Sequence, residues 1–510
     1  MVRRVLLARR SVVVSITRNV AAMASAFSVS ACTVGPAYQR PDMPMTPFRN
    51  ALAANVGAGS KSAIAASDET WWNGFGDPEL SRIIIRVLAQ NLDLAGSNAR
   101  VAQARAVAQE AGARLLPSGQ LMASGTPEHQ SERTSIGRLA SAQPGYNRNK
   151  TLYDIGIGAS WEVDLSGGLR RASQAAQDEM AAAEADDLGV RVSVTAEAAD
   201  AYFQARGYQV RLKLALNQVD ADTHLLKLVQ LRMEEGASFD RELSQAQAVV
   251  SQASASIPPL RVGLEAQLNR LDVLMGTQPG TYATEMAQQS AAPAIPSNWQ
   301  DLTPQRMLRR RPDIIASERR LAATNAQIGV AISQYYPKLS LSGLLGFDSL
   351  GQGFSPSRLF SSAAFQPEAV AGIQWRLFDF GRVDAEVKEA KGANQLALAQ
   401  YRQTVLRAAE EVEDALMSFA QLQQQDQQIS FEVAALRRSR EASETAYTAG
   451  AIPLTDVLDA DRLLLSAQDE LATAQYAQAR SAVQIFRAMG GGWPPQSSES
   501  KADPISHHPS

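Results

Sequence analysis

The chain has one cysteine, Cys32, in 510 residues, and four histidines, at His129, His224, His507 and His508. A lone thiol makes no internal disulfide, and with no histidine near it in sequence it does not read as a metal site. Aromatic residues are 6% of the chain and the net charge is −3, so there is no basic footprint for nucleic acid. After residue 31 no apolar run approaches the ~20 residues of a membrane-spanning helix. No Ser–His–Asp, Cys–His or Gly-rich nucleotide-binding pattern occurs, which argues against an enzyme and against a bound cofactor. Proline is missing from 169–235 and from 382–449. Both stretches are rich in Ala, Gln, Glu, Leu and Arg, good helix formers. At 1.5 Å per residue each predicts a helix of about 100 Å, too long for a compact domain without a bundle of similar length.

What is present begins with a basic start (Arg3, Arg4, Arg9, Arg10, Arg18) and the small apolar run 20–31. That is the layout of a secretory signal. Its end, Val29-Ser30-Ala31-Cys32, resembles a bacterial lipobox, in which the cysteine becomes the first mature residue and carries an S-diacylglycerol and an N-palmitoyl group. Several acyl chains give durable anchoring where one gives marginal binding. Thr33, rather than Asp, leans towards the outer membrane. The expected organisation is a signal peptide over 1–31 and an acylated, irregular arm over 32–70. Then come repeat 1 (71–276), a linker (277–300), repeat 2 (301–490) and a disordered tail (491–510).

The repeat is read from matched residues. Trp161 and Trp375, Gly167 and Gly381, Glu197 and Glu411, Gly236 and Gly450, and Met275-Gly276 and Met489-Gly490 all lie 214 positions apart. Earlier in each half the spacing is 220: Asp93 with Asp313, Ala102 with Ala322, Pro117 with Pro337. The six-residue change predicts a loop of different length inside each half. On both sides of that loop the pattern alternates. Tyr153, Ile155, Ile157, Trp161 and Val163 are apolar, with polar or Gly residues between them. Leu339, Leu341, Leu345 and Phe347 do the same, as do Ile373, Trp375 and Leu377, and 118–125 more weakly. Strands of about ten residues with one greasy face suit a transmembrane barrel, and equally a hairpin on a soluble core. Four strands cannot close alone, so the barrel reading demands an oligomer. Each long helix ends at a Gly turn, Gly236 or Gly450, with a second helix running back. Shorter helices are expected around 78–115 and 304–334. The acidic group Glu410, Glu411, Glu413 and Asp414 reads as a solvated helix face.

Over residues 71–490 the sequence resembles the TolC family of outer-membrane efflux channels, in its lipoprotein, NodT-like branch. The most specific element is Tyr447-Thr-Ala-Gly450 through Asp456-Val457-Leu458-Asp459-Ala460, which matches the family's helix–turn–helix tip. The resemblance implies an α+β channel, with four transmembrane strands and long antiparallel helices per protomer, closed as a homotrimer. It implies an exit duct of a tripartite efflux system, passively conducting substrates from a periplasmic adaptor and an inner-membrane pump. It also implies lipid anchoring in the outer membrane and tip turns at Gly236 and Gly450 that dock the adaptor. A periplasmic gate would involve Tyr447, Asp456, Asp459 and, in the first repeat, Glu242. The first tip lacks the tyrosine. Asp456 and Asp459 share a helix face, and both also suit the start of a helix, where acidic residues cap and meet the dipole. The competing reading is a structural envelope lipoprotein that transports nothing.

Overall fold

The computed structural model describes residues 33–51, 69–236, 239–287, 293–296 and 303–493. Cys32, the signal segment and residues 494–510 lie outside them. In chain order a short 3-10 turn (Trp71–Phe75) leads into helices α1 (Pro78–Gln90) and α2 (Leu92–Ala113). Strand β1 (Ser118–His129), helix α3 (Ser135–Ser141) and strand β2 (Asn149–Val163) follow, then α4 (Gly168–Glu234), α5 (Asp240–Ala255) and α6 (Ile257–Leu274). The second half repeats the order: α7 (Pro304–Arg310), α8 (Pro312–Ser333), β3 (Lys338–Gly351), α9 (Pro356–Leu359), β4 (Phe365–Gln374), α10 (Arg382–Thr448) and α11 (Leu454–Ala488). The proline-free stretches are the two long helices, 67 residues each.

The chain forms two compact units. One comprises residues up to 41, 103–181 and 319–399; the other comprises 42–102, 182–318 and 400–510. The first holds an antiparallel sheet in the order β1-β2-β3-β4. Its register keeps residue parity across every strand, so the alternation read in sequence becomes one continuous face. Leu121, Ile157 and Leu345 lie in line, as do Ala123, Ile155, Phe347 and Phe365, and Trp161, Leu341 and Ala371. The even positions make the other face: Ser118, Ser160 and Ser342 in one row, Ser124, Asp154 and Asp348 in another. Apolar side chains on that wetter face include Met122 and Leu344. They lie over glycines: a Cβ at Gly156 would come 2.9 Å from Leu344 Cδ1, and one at Gly158 3.1 Å from Met122 Cε.

Aromatic rings gather at both ends of the sheet. Tyr153 meets Phe354 and Phe347 meets Phe360 and Phe365 at the loop end, with centroids 5.4, 5.5 and 5.6 Å apart. At the helix end the indole N–H of Trp161 donates to the Leu115 carbonyl and that of Trp375 to the Tyr335 carbonyl, each at 2.9 Å. Strand β4 stops at Gln374, one residue before Trp375. The alternation of Trp375 and Leu377, expected to continue a strand, therefore belongs to the turn into α10. The predicted length difference falls between the strands. Residues 130–148 connect β1 to β2 and residues 352–364 connect β3 to β4, a difference of six.

The second unit carries the apolar core and repeats its own packing. Asp77 caps α1 through the backbone of Glu79 and Leu80 and takes the Tyr202 hydroxyl on its other oxygen at 2.5 Å. Burial and this bond to Asp77 push the Tyr202 hydroxyl well above its ordinary range. Trp71 stacks on Phe486 at 5.1 Å. The helix expected over 78–115 is broken at Asn91, whose ψ of 131° is extended. Asn91 donates to the Leu274 carbonyl, and its counterpart Arg311 to the Ala488 carbonyl. Gly276 and Gly490 then turn with φ of +69° and +73°, so close to the Gln90 and Arg310 carbonyls that any Cβ would collide at 2.5 and 2.7 Å.

Three expectations shift. The return helix of repeat 1 is not continuous: it breaks at Ser256, before Pro258 and Pro259, whereas α11 runs unbroken. The expected linker is tied to the fold at its start, because Asp272 accepts the backbone N–H groups of Gly280, Thr281 and Tyr282 and Met286 is buried. Of the expected tail, Trp493 is 2% exposed and its carbonyl accepts from Arg310, while residues 494–510 lie outside the described residues. The acidic group on α10 is also more than a wet face. Glu411 pairs with Arg311 at 2.7 Å, and Glu413 accepts the backbone N–H groups of Arg49 and Asn50.

Parity of the sheet sets a test. Leu345→Arg places a charge mid-strand on the apolar face, which costs about 2–4 kcal/mol at a bilayer midplane. Ser342→Arg places the same charge on the other face. Refolding into lipid vesicles, followed by gel mobility of unheated samples, is expected to fail or fall sharply for Leu345→Arg and to persist for Ser342→Arg.

Candidate functional site at the hairpin tips

The two helix hairpins end at Gly236 and Gly450, each with φ +74° and open space where a Cβ would stand. Here glycine serves the left-handed backbone and not a close approach. Around the turns a small apolar cluster joins the hairpins: Val229 from α4, Ala246 from α5, Tyr447 from α10, and Leu454 and Val457 from α11 are all buried.

Tyr447 is the centre of this cluster, at 3% exposure. Arg232, in the last turn of α4, lays its guanidinium 4.7 Å from the ring centroid and donates to the Tyr447 carbonyl at 3.4 Å. Burial raises the phenol's pKa; the nearby Arg232 charge opposes this and Glu242 adds to it. The structure thus brings Tyr447, Glu242 and Arg232 together, within one chain and across its two repeats. Arg232 escaped the sequence reading because its repeat counterpart is Ala446. The signal available was its place in a helix C-terminal turn, where a cation meets the dipole.

Asp456 and Asp459 lie elsewhere on the tip. Both are exposed, in the first turns of α11. The N-cap is Pro453 and no side chain caps the helix by a hydrogen bond. Asp459 pairs with Arg462 at 3.1 Å, one turn along. The two carboxylates present charge to solvent from one helix face.

At the opposite end of the long helices the arm following Cys32 is held in the first unit. Val34 N–H donates to the Ser166 carbonyl at 3.0 Å, and Arg171 donates to the Val34 and Gly35 carbonyls at 3.1 and 3.2 Å. Gly167, with φ +79°, admits Thr33: a Cβ there would sit 2.7 Å from the Thr33 Cα. The residue after Cys32 is thereby pinned at the junction of β2 and α4.

The model of the family described as outer membrane efflux protein matches residues 83–277 and 303–491, one block per repeat. This chain belongs to that family. It is 32% identical over 440 residues to the pyoverdine export outer membrane protein OpmQ of Pseudomonas putida, covering 85% of this chain and 90% of the relative. It is 27% identical to the probable outer membrane lipoprotein SilC of Salmonella typhimurium, over 92% of this chain and 97% of that one. Among solved structures, the outer-membrane channel OprN superposes with a TM-score of 0.80 at 33% identity, covering 91% of this chain and all of that one. An outer-membrane efflux channel is what the resemblance at the helix–turn–helix tip and across both repeats had implied.

The tip cluster separates packing from hydrogen bonding. The buried Tyr447 hydroxyl makes no close hydrogen bond among the described residues and interacts only weakly with the Arg232 guanidinium, so Tyr447→Phe removes little that the fold uses. Tyr447→Ala empties a core site, a loss of about 3–5 kcal/mol for a buried aromatic. Amide exchange of residues 225–232 and 443–458 is expected to stay at the wild-type level in Tyr447→Phe and to accelerate by at least tenfold in Tyr447→Ala.

Proposed function

We propose that three copies of this efflux protein close into one lipid-anchored duct, docked by its tips to a periplasmic adaptor and an inner-membrane pump, with the tip aspartates forming a cation-selective ring. The observation that carries closure is the sheet itself, whose four strands leave β1 and β4 as edges. Edges in hydrocarbon leave backbone groups unpaired at several kcal/mol each.

The helices support the same closure. Within the chain, α11 of repeat 2 lies on α4 of repeat 1. Arg480 pairs with Asp200 at 2.6 Å, Arg211 pairs with Asp469 at 2.7 Å, and Gly207 receives Tyr476. On α10, Leu406, Met417 and Phe431 are exposed at spacings that keep them in one stripe, and on α6 Val262 and Val273 do the same. A neighbouring copy covers both stripes if repeat 2 of one chain meets repeat 1 of the next as the two repeats meet within a chain. The 214-residue repeat then carries the Gly207–Tyr476 contact to Gln421 against Val262 of the next copy.

Three copies of Asp456 and Asp459 place six carboxylates around one constriction, and rings of carboxylates favour cations. Mass in detergent is expected to be that of a trimer, and oxidised Gln421→Cys/Val262→Cys in a Cys32→Ser background is expected to give covalent trimers. In planar bilayers the wild type is expected to conduct with cation preference, and Asp456→Asn/Asp459→Asn to conduct with that preference and multivalent-cation block clearly reduced. A trimer without conductance would favour the structural lipoprotein. Unchanged selectivity in the double variant would leave the aspartates as helix-start residues only.

The anchor is a separate proposal: Cys32 carries the acyl chains. The pinning of Thr33 beside Gly167 supports it, because it holds the residue that follows Cys32 at the strand-to-helix junction. Incorporation of labelled palmitate is expected in the wild type and absent in Cys32→Ser, while the sheet still inserts.

A further inference from the structure

Two buried carboxylates and a partly exposed arginine lie together among the helices, and the channel reading uses none of them. Asp222 on α4 is 3% exposed and Asp461 on α11 is 5% exposed. Arg440 on α10 donates Nε to Asp461 Oδ1 at 2.8 Å, and also pairs with Glu444 on its own helix. Gln218, one turn before Asp222, donates to Asp222 Oδ1 at 2.8 Å. The remaining oxygens, Asp222 Oδ2 and Asp461 Oδ2, are both buried with no hydrogen-bond partner among the described residues. Two buried carboxylates thus have one guanidinium near them, which bonds Asp461 and reaches Asp222 only through its charge, an arrangement with unbalanced negative charge.

Architecture does not require this arrangement. The repeat counterparts of Asp222, Arg440 and Asp461 are Leu436, Leu226 and Gln247. Charge occurs once per chain, where α4 of repeat 1 meets the α10–α11 hairpin of repeat 2. An apolar cluster lies on either side: that of Tyr447, Leu454 and Val457 at the tip, and that of Ile429, Val433, Ala467 and Ala474 further along the helices. Asp461 stands two residues beyond Asp459, so any loosening of this layer moves the start of α11.

We propose that Asp222, Arg440 and Asp461 form a proton-operated latch: the α10–α11 hairpin stays packed on α4 while Asp222 holds a proton, and is released as Asp222 ionises. The latch rests on the reading of the tips as a gate. A proton on Asp222 removes the unbalanced charge and leaves Arg440 to serve Asp461 alone.

Every group facing Asp222 acts in a known direction. Burial pushes its pKa up from 3.8 to about 6; the Gln218 hydrogen bond opposes this, the Asp461 charge adds to it and the Arg440 charge opposes it. Desolvation acts to lower the pKa of Arg440, and Asp461, with Glu444 and Glu441 from α10, raises it. In the released arrangement Asp222 is hydrated and its pKa returns to the ordinary carboxylate value. A carboxyl whose pKa is raised in the packed state favours that state fully below the ordinary value and loses the advantage as pH rises through about 6. Between pH 5 and 7.5 the release equilibrium rises about tenfold per protomer.

The experiment uses the full trimer and two readouts. Amide-exchange protection of 218–226 and 457–465, corrected for the intrinsic pH effect, is expected to fall about tenfold from pH 5 to 7.5 in the wild type. Asp222→Asn, neutral at both pH values, is expected to show no such fall, and so is Asp222→Leu, which copies Leu436. In planar bilayers, open probability is expected to rise with pH in the wild type and in Asp456→Asn/Asp459→Asn, but not in Asp222→Asn. Wild-type protection that does not change with pH, or an Asp222→Asn protein that keeps the wild-type pH response, overturns the latch. If the trimer conducts at no pH, the gate reading falls, and the exchange measurement still decides whether the layer responds to a proton.

Discussion

A sheet edge in hydrocarbon has no water to satisfy its backbone, and the rest of this structure follows from that constraint. Four strands per chain are too few to close, and β1 and β4 are left as edges. On the closure proposed above, the chain meets copies of itself, and whatever continues from the strands has to be compatible with a ring. Parity in the register serves the same end. With every odd residue on one face, a single apolar band faces outward and the polar residues face in. Rings at both ends of the band, Trp161 and Trp375 at one and Tyr153, Phe347 and Phe354 at the other, suit the two membrane–water boundaries.

The internal repeat lets one design be used twice. Trp161 and Trp375 hold the same turn carbonyl, Asn91 and Arg311 hold the same helix end, and Gly276 and Gly490 make the same close approach. Departures from the repeat are where the halves specialise. Pro258 and Pro259 break one return helix and leave the other whole. Tyr447 has no aromatic counterpart, and Arg232 of the other repeat comes to lie over its ring. The layer of Asp222, Arg440 and Asp461 likewise occurs once, between helices of different repeats.

Much of this was legible in the sequence because it depends on short-range rules. Two proline-free stretches rich in helix formers became two 67-residue helices almost to the residue. Period-two alternation became strands, and Gly236 and Gly450 became left-handed turns. The end of β4 was misplaced by the same rule, because Trp375 and Leu377 continue the alternation into a turn where pairing has already stopped. The break at Asn91 was invisible because its cause is the Leu274 carbonyl, 183 residues away.

The sequence by itself determined the periodicities, the repeat, the turn positions and the family, since each is written in neighbouring residues or in a fixed spacing. Tertiary structure alone decided which charges are paired and which are buried. Glu411 and Glu413 read as a solvated face, yet they bind Arg311 and the backbone of the N-terminal arm. Asp222 reads as one more polar residue on a long helix, yet it is enclosed with Asp461 and a single arginine. Burial depends on what packs from distant parts of the chain, and the free energy of a charge depends on that burial more than on its neighbours in sequence.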